Sequence, residues 1–429
     1  MKYFALLFAL PSVVSSMFIG AATSSLQIEG HNKGITIWDE FVYDYHYHPV
    51  CNASNHFLQY DEDFELLREM GSKEYRFSIS WSRIMPFRWM EIDQEGIQFY
   101  HNLLDNLLAK NITPFVTLYH WELPHYLNTP EINGWLDKKI VDYFFEYSLL
   151  MFEEYGDKVK YWMTINEPLT TSLQGYGETC SFAPLKCSRE NQFLSAHYQL
   201  LAHAKVGHYY LNHHDGEIGL VINSNWFEPK TKSAIPNSVE MMDKTLGWFL
   251  NPILFGSYPS ILLDDTIPFT EQEKIQLLNS YSFLGINHYT SYYIDDENNI
   301  STDANWLQSK ANWLYVTPFG ARKLFQYIHD YYTTTIPIYI TECGMPQVKD
   351  PILDLDRVHY LSSYLYEITS LSYDNIKGFF VWSLLDNFEW TQGYNESFGI
   401  IHVDYENDYE RIPKLSYYFL KDYIQLKDA

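Results

Sequence analysis

KYWMTINEPL, residues 160–169, climbs through Tyr161, Trp162, Met163 and Ile165 and finishes on Asn166-Glu167-Pro168. The near-continuous apolar run reads as a strand buried on both faces, the kind found in parallel sheets. Its end is unusual, because an amide and a carboxylate leave the core side by side. Pro168 has no N–H for a ladder and biases Glu167 towards extended backbone, so the strand is expected to stop there. Seven further runs share this form: MFIGAAT (17–23), EYRFSISW (74–81), ITPFVTLYHW (112–121), EIGLVINSN (217–225), SFLGINHY (282–289), PIYITE (337–342) and KGFFVWSL (377–384). Helical patterns fall between them, over 62–70, 96–110, 138–155, 190–213, 271–278, 321–332 and 356–370. Eight buried strands separated by helices predict an α/β fold, a single (β/α)8 TIM barrel whose site lies at the C-terminal rim of the strands. An open doubly wound sheet would carry a glycine-rich phosphate turn after an early strand, and none is present.

No Gly/Ser linker, low-complexity tract or charge block divides the chain, so residues 17–429 read as one domain. Residues 1–16, MKYFALLFALPSVVSS, read as a signal peptide: Lys2, an apolar stretch from Phe4 to Leu10, then small residues at Val14 and Ser16. Secretion or residence in a secretory-pathway lumen is therefore expected. Cys180 and Cys187 are close enough to close a small loop as a disulfide, whereas Cys51 and Cys343 have no evident partner. Glycosylation tripeptides occur at Asn52, Asn111, Asn299 and Asn395, with Asn111 expected to be hard to reach because it directly precedes a strand. The net charge of −25 argues against nucleic acid and against an anionic membrane surface. No run reaches the roughly 18–20 apolar residues that spanning a bilayer takes. No zinc-like spacing or cofactor motif occurs, so no metal and no cofactor are expected.

The ends of the runs carry Gln27, Arg76, His120-Trp121, Asn166-Glu167, Asn223-Asn225, Asn287 with Tyr289, Glu342 and Trp382. In a barrel these ends converge on one mouth. Glu167 and Glu342 then make the carboxyl pair that glycoside hydrolysis needs, one to protonate the leaving oxygen and one to attack the anomeric carbon or activate water. Spacing in the sequence leaves retention against inversion open.

From about Met17 to Asp422 the chain resembles glycoside hydrolase family 1, the retaining β-glycosidases. The matching stretches include GAATSSLQIEG (20–30), YRFSISWSRI (75–84), TPFVTLYHWELP (113–124), TINEP (164–168), FLGINHYT (283–290), ITECG (340–344) and WSLLDNFEWTQGY (382–394). The resemblance implies Glu167 as acid/base and Glu342 as nucleophile, with Arg76 and Tyr289 orienting Glu342. It implies substrate contacts from Gln27, His120, Trp121, Asn166, Asn287, Trp382, Glu389, Trp390 and Phe398. The substrate would be a β-glycoside or oligosaccharide, cleaved from its terminal non-reducing end. A neutral β-glucoside is favoured over a phosphorylated one because Glu389 would repel phosphate, with β-galactosides and β-fucosides behind it. Three departures stand out: Cys343 where the family carries asparagine, expected to loosen the following loop; Ser397 in GYNESFG where it carries arginine; and His288 where tyrosine is frequent. Two other readings use the same barrel, a klotho-like non-catalytic binding scaffold and a transglycosidase. Retention of both glutamates weighs against the scaffold.

Overall fold

Eight parallel strands close on one another in the computed structural model, which describes residues 17–428 except 32, 333, 334 and 348. They are β1 (Phe18–Ala22), β2 (Glu74–Ser78), β3 (Thr113–Tyr119), β4 (Tyr161–Asn166), β5 (Glu217–Asn223), β6 (Phe283–Asn287), β7 (Ile338–Cys343) and β8 (Ile376–Trp382). Each coincides with one of the eight apolar runs, β7 running one residue past its run at Cys343 and β8 starting one residue before its run at Ile376. β1 pairs with β2 on one side and with β8 on the other, which seals the barrel. The leader read at 1–16 lies outside the described residues.

Rings fill the barrel interior below the rim. Phe115 stacks on Tyr161 at 4.2 Å and meets Phe380 at 5.0 Å, and Phe18 meets Phe380 edge-on at 5.3 Å. Glycine makes room for them in register. Phe18 pairs with Gly378 and Gly20 with Phe380, and a Cβ on Gly378 or Gly20 would lie 2.2 or 2.7 Å from the facing ring. The barrel is thus a packed core with a floor, open only at its C-terminal end.

The helices bury their apolar stripes on the outside of the sheet: His56–Met70, Gln94–Ala109, Lys139–Tyr155, Arg189–His213, Glu271–Leu278, Pro318–Tyr332 and Leu355–Thr369. Their ends follow local chemistry. Gly71 stops the first at φ 91°, and a Thr270–Glu273 capping box starts Glu271–Leu278. Among the described residues no helix is long and apolar enough to cross a membrane.

β4 departs from expectation at its last step. Glu167 is left-handed, at φ 47° and ψ 63°, rather than extended, and Pro168 does not break the chain. It occupies the first turn of a helix, Pro168–Thr170, where a missing N–H costs nothing. A further turn, Thr171–Gly175, is π-helical. The backbone N–H of Glu167 still bonds Val221 of β5 at 2.9 Å, so the left-handed residue stays anchored to the sheet while its side chain swings inward.

Candidate active site

Sheet register brings the polar strand ends together. Asn166 of β4 lies beside Val221 of β5, Asn223 of β5 beside Asn287 of β6, and Asn287 beside Glu342 of β7. Across the mouth, Arg76 projects from β2 and is fully buried.

Arg76 is the hub. Its Nη1 donates to Glu342 Oε1 at 2.6 Å and to the Thr341 carbonyl at 3.0 Å, and its Nη2 donates to Asn166 Oδ1 at 2.7 Å. The Tyr289 hydroxyl donates to the other oxygen of Glu342, Oε2, at 2.6 Å. Glu342 therefore has a cation on one oxygen and a phenol on the other, which sets its rotamer and its orientation.

Glu167 is treated differently. Its Oε1 accepts from Asn287 Nδ2 at 2.7 Å and its Oε2 from the Thr170 hydroxyl at 2.8 Å, with no cation in direct contact. Burial pushes its carboxyl up to about 8, and the charge of Glu342 adds to the shift. Asn287 is itself fixed by the Thr341 hydroxyl, which donates to its Oδ1 at 2.6 Å.

The remaining expected residues form one wall. His120 lies against Asn166, with Nε2 and Nδ2 3.2 Å apart, and its ring stacks over Trp382 at 5.7 Å and 12°. Burial first and Arg76 second push its pKa well down, so it is neutral. Trp121 donates its indole N–H to the Asn166 carbonyl at 3.0 Å and packs on Trp390 at 4.6 Å. Gln27 Nε2 donates to Asn387 Oδ1, to the Phe388 carbonyl and, at 3.3 Å, to Glu389 Oε2. Burial leads the strong upward shift of Glu389, and Glu396 adds to it. Phe398 sits edge-on to Tyr289 at 6.2 Å.

The departures have physical accounts. Cys343 is buried with its Sγ 3.5 Å from the Tyr360 hydroxyl, so the thiol has a partner where an amide was expected. His288 Nδ1 lies 2.8 Å from the Ser224 carbonyl, and burial pushes its pKa down to about 4. The Ser397 carbonyl accepts from buried Arg357, which also bonds the carbonyls of Met345 and Gly399. Cys180 and Cys187 are joined as a disulfide, while Cys51 and Cys343 are free. Asn111 is exposed, contrary to expectation, because it occupies a left-handed position (φ 58°) in the turn before β3. Asn299 and Asn395 are exposed and Asn52 is half-buried.

Sequence reasoning missed Thr170, Asn387 and Thr341. Thr170 was findable: with Pro168 read as the first residue of a helix, a residue three beyond Glu167 falls on the same face. Among the described residues no cluster of His, Cys, Asp or Glu is arranged to hold a metal ion.

A barrel mouth that holds one buried glutamate against a guanidinium and leaves another among neutral donors, with a tryptophan wall beside Asn166, marks an O-glycosyl hydrolase. A sequence profile of glycosyl hydrolase family 1 matches residues 12–429, and the chain belongs to that family. The match begins inside the stretch read as a leader. Beta-glucosidase 42 of Arabidopsis thaliana is 40% identical over 95% of this chain and 93% of its own length. Beta-glucosidase 4 of rice is 39% identical over 96% and 94%. Among solved structures, a mutant of the rice Os3BGlu6 β-glucosidase in a covalent complex with Glc superposes with a TM-score of 0.88 at 34% identity, over 95% of this chain and 97% of that one. A Thermotoga maritima β-glucosidase in complex with glucoimidazole gives 0.90 at 32% identity, over 97% and 100%.

Proposed function

We propose that this protein is a retaining exo-β-glucosidase that releases a terminal non-reducing β-D-glucosyl residue by double displacement, with Glu342 as nucleophile and Glu167 as acid/base. The observation that carries this is the unequal setting of the two glutamates: Glu342 bonded to Arg76 and Tyr289, Glu167 bonded only to neutral donors. In the first step a Glu342 oxygen attacks the anomeric carbon while the bond to the aglycone oxygen breaks. The proton of Glu167 passes to that oxygen, leaving a glycosyl ester and a free alcohol. Esterification removes the Glu342 charge and with it one cause of the raised Glu167 pKa. Glu167, now a carboxylate, takes a proton from water whose oxygen attacks the same carbon, and Glu342 leaves as carboxylate. Two inversions give net retention.

Glucose as the glycone is supported by the β-glucosidase relatives and by the covalent Glc complex of the rice protein. A secretory route is supported by the leader pattern, the exposed tripeptides and the Cys180–Cys187 disulfide. Protein recovered from culture medium with a mass that falls on endoglycosidase treatment is the expected result. An unglycosylated protein confined to the cell would exclude that route.

The central test is hydrolysis of 4-nitrophenyl β-glucoside, β-galactoside and β-fucoside by wild type, Glu167→Gln and Glu342→Gln. The glucoside is cleaved best, Glu167→Gln loses about 10²–10⁴-fold in kcat/KM, and Glu342→Gln is inactive. A 2-deoxy-2-fluoro glucoside labels the peptide carrying Glu342, and a label elsewhere overturns the assignment. Products lengthened by a sugar, in place of free glucose, would point to transglycosylation.

A further inference from the structure

Glu167 receives a hydrogen bond on each oxygen, and the two donors have different standing. Asn287 is held by Thr341 and its amide can only donate to Oε1. Thr170 carries a single hydroxyl proton, and its use is decided by a third residue. Asn223, at the end of β5, donates its Nδ2 to Thr170 Oγ1 at 3.0 Å. With that lone pair occupied, the Thr170 proton points to Glu167 Oε2, 2.8 Å away. Asn223 Oδ1 is buried and has no hydrogen-bond partner. Turning this amide over seats Oδ1 on the Thr170 hydroxyl, and Thr170 then accepts a bond from a proton-bearing Glu167.

We propose that Thr170, aligned by Asn223, is a positioning residue for the acid/base: it presents a bond to Glu167 in both protonation states and so holds one rotamer through both halves of the reaction. This rests on the reading of Glu167 as acid/base and adds the device that keeps it in place. Geometry gives the device its place: Glu167 is a left-handed residue at a strand-to-helix junction, with Asn287 on one oxygen and Thr170 on the other. Thr170, one turn on, reaches back over it, and a narrow cleft lined by Trp121, Thr170, Phe182 and Pro184 opens alongside.

The charged and titratable groups that face Glu167 are Glu342 from β7, Arg76 from β2, Tyr289 beyond β6 and Glu389 beyond β8. None is altered by substitution at 170. The Thr170 bond favours the charged form of Glu167. Removing it therefore raises the folded enzyme's Glu167 pKa and carries the basic limb of the kcat/KM profile to higher pH.

The test compares Thr170→Val and Thr170→Ser over aryl and alkyl β-glucosides of increasing leaving-group basicity. For Thr170→Val, 2,4-dinitrophenyl β-glucoside, which leaves without a proton, keeps its kcat/KM to within about twofold, while methyl β-glucoside loses roughly tenfold or more. The basic limb moves up by about half to one pH unit. Thr170→Ser restores both. Equal losses for every leaving group with an unmoved basic limb would mean that Thr170 merely packs, and the inference fails. Should Thr170→Val not fold, Thr170→Ala carries the same test, since it removes the hydroxyl with a good helix former and leaves Asn223 in place. A wild type that cleaves no β-glucoside defeats the functional reading itself, whereas an active wild type with indifferent variants defeats only this inference.

Discussion

Tyr289 and Arg76 share one carboxylate, and the consequence is separable from binding. Tyr289→Phe removes one donor to a charged acceptor, a bond of about 1.5–3 kcal/mol, so kcat falls roughly ten- to hundredfold. KM stays close to wild type, because the phenol acts on Glu342 rather than on bound sugar, and steady-state kinetics on 4-nitrophenyl β-glucoside reads the split. The pH profile reads Glu167. On the proposed mechanism Glu167 must be protonated and Glu342 charged; with the Glu167 carboxyl raised to about 8, kcat/KM is expected to be bell-shaped and to fall on the basic side as the Glu167 proton is lost. A basic limb at the ordinary carboxylate value of about 4 would contradict the assignment. Glu167, Glu342 and Tyr289 were legible in the sequence because each stands at the end of an apolar run, where a rim requires its residue types. Arg76 lies inside its run, and its place beside Glu342 came from the family resemblance. The backbone of Glu167 was not legible. The preference of a pre-proline residue for extended geometry is a local average, and here the sheet bond to Val221 and the helix after Pro168 together outweigh it.

Strands were legible as elements because burial on both faces writes a continuous apolar run bounded by polar ends. Helix ends shifted by a few residues: the first long helix starts at His56, six residues ahead of the pattern, since its opening turn carries mixed polarity. The π-helical turns at Thr171–Gly175 and Asp243–Gly247 have no compositional signature and were not foreseen. The segment after β3 yields a stability test. Glu122 is buried, and no hydrogen bond of standard geometry reaches either of its oxygens. Burial pushes its carboxyl up to about 8, with the nearby Ser80 hydroxyl offsetting part of the rise. A folded pKa above the unfolded one gives stability that is complete below about pH 4 and lost as pH climbs towards 8. Glu122→Gln is therefore expected to gain about 1–3 kcal/mol at pH 7.5 relative to wild type and to flatten the pH dependence of urea unfolding between 5 and 8. The loop after the π turn yields another. It carries Phe182, which packs on Trp38 and Trp121 and is closed by Cys180–Cys187. Cys180→Ser with Cys187→Ser loses about 2 kcal/mol of local stability and raises KM for bulky aglycones more than for methyl β-glucoside.

For the molecule as a whole, one source of acid sensitivity is a buried junction far from the barrel mouth. Asp63, on the helix His56–Met70, bonds His56 at 2.7 Å and Arg411 at 2.8 and 3.0 Å, tying that helix to the strand Glu410–Pro413. Burial raises its pKa, but the His56 bond and the Arg411 charge together outweigh it and hold the carboxyl below its ordinary value. The sign is that of a depressed acid: its contribution is present above about pH 4 and lost as pH falls through the folded value. Asp63→Asn strands Arg411 in the interior and costs about 3–5 kcal/mol at pH 7, with a shallower loss between pH 4 and 2. Urea unfolding at pH 7, 4 and 2 checks both. The junction was invisible in the sequence, since 348 positions separate its acid from its arginine.

The seam between β1 and β8 sets a clock. Arg76 emerges from the ribosome long before Glu342, and β1 keeps a bare edge until Ile376–Trp382 has been made. At ordinary elongation speeds of about 5–20 residues per second, that edge waits roughly 20–70 s. Throughout that interval the nascent chain carries an unpaired strand, and until Glu342 is made it also carries a cationic side chain without its carboxylate. Newly made protein should therefore draw on chaperones until its last strand arrives, and enzymatic competence should appear all at once, when the final staves close.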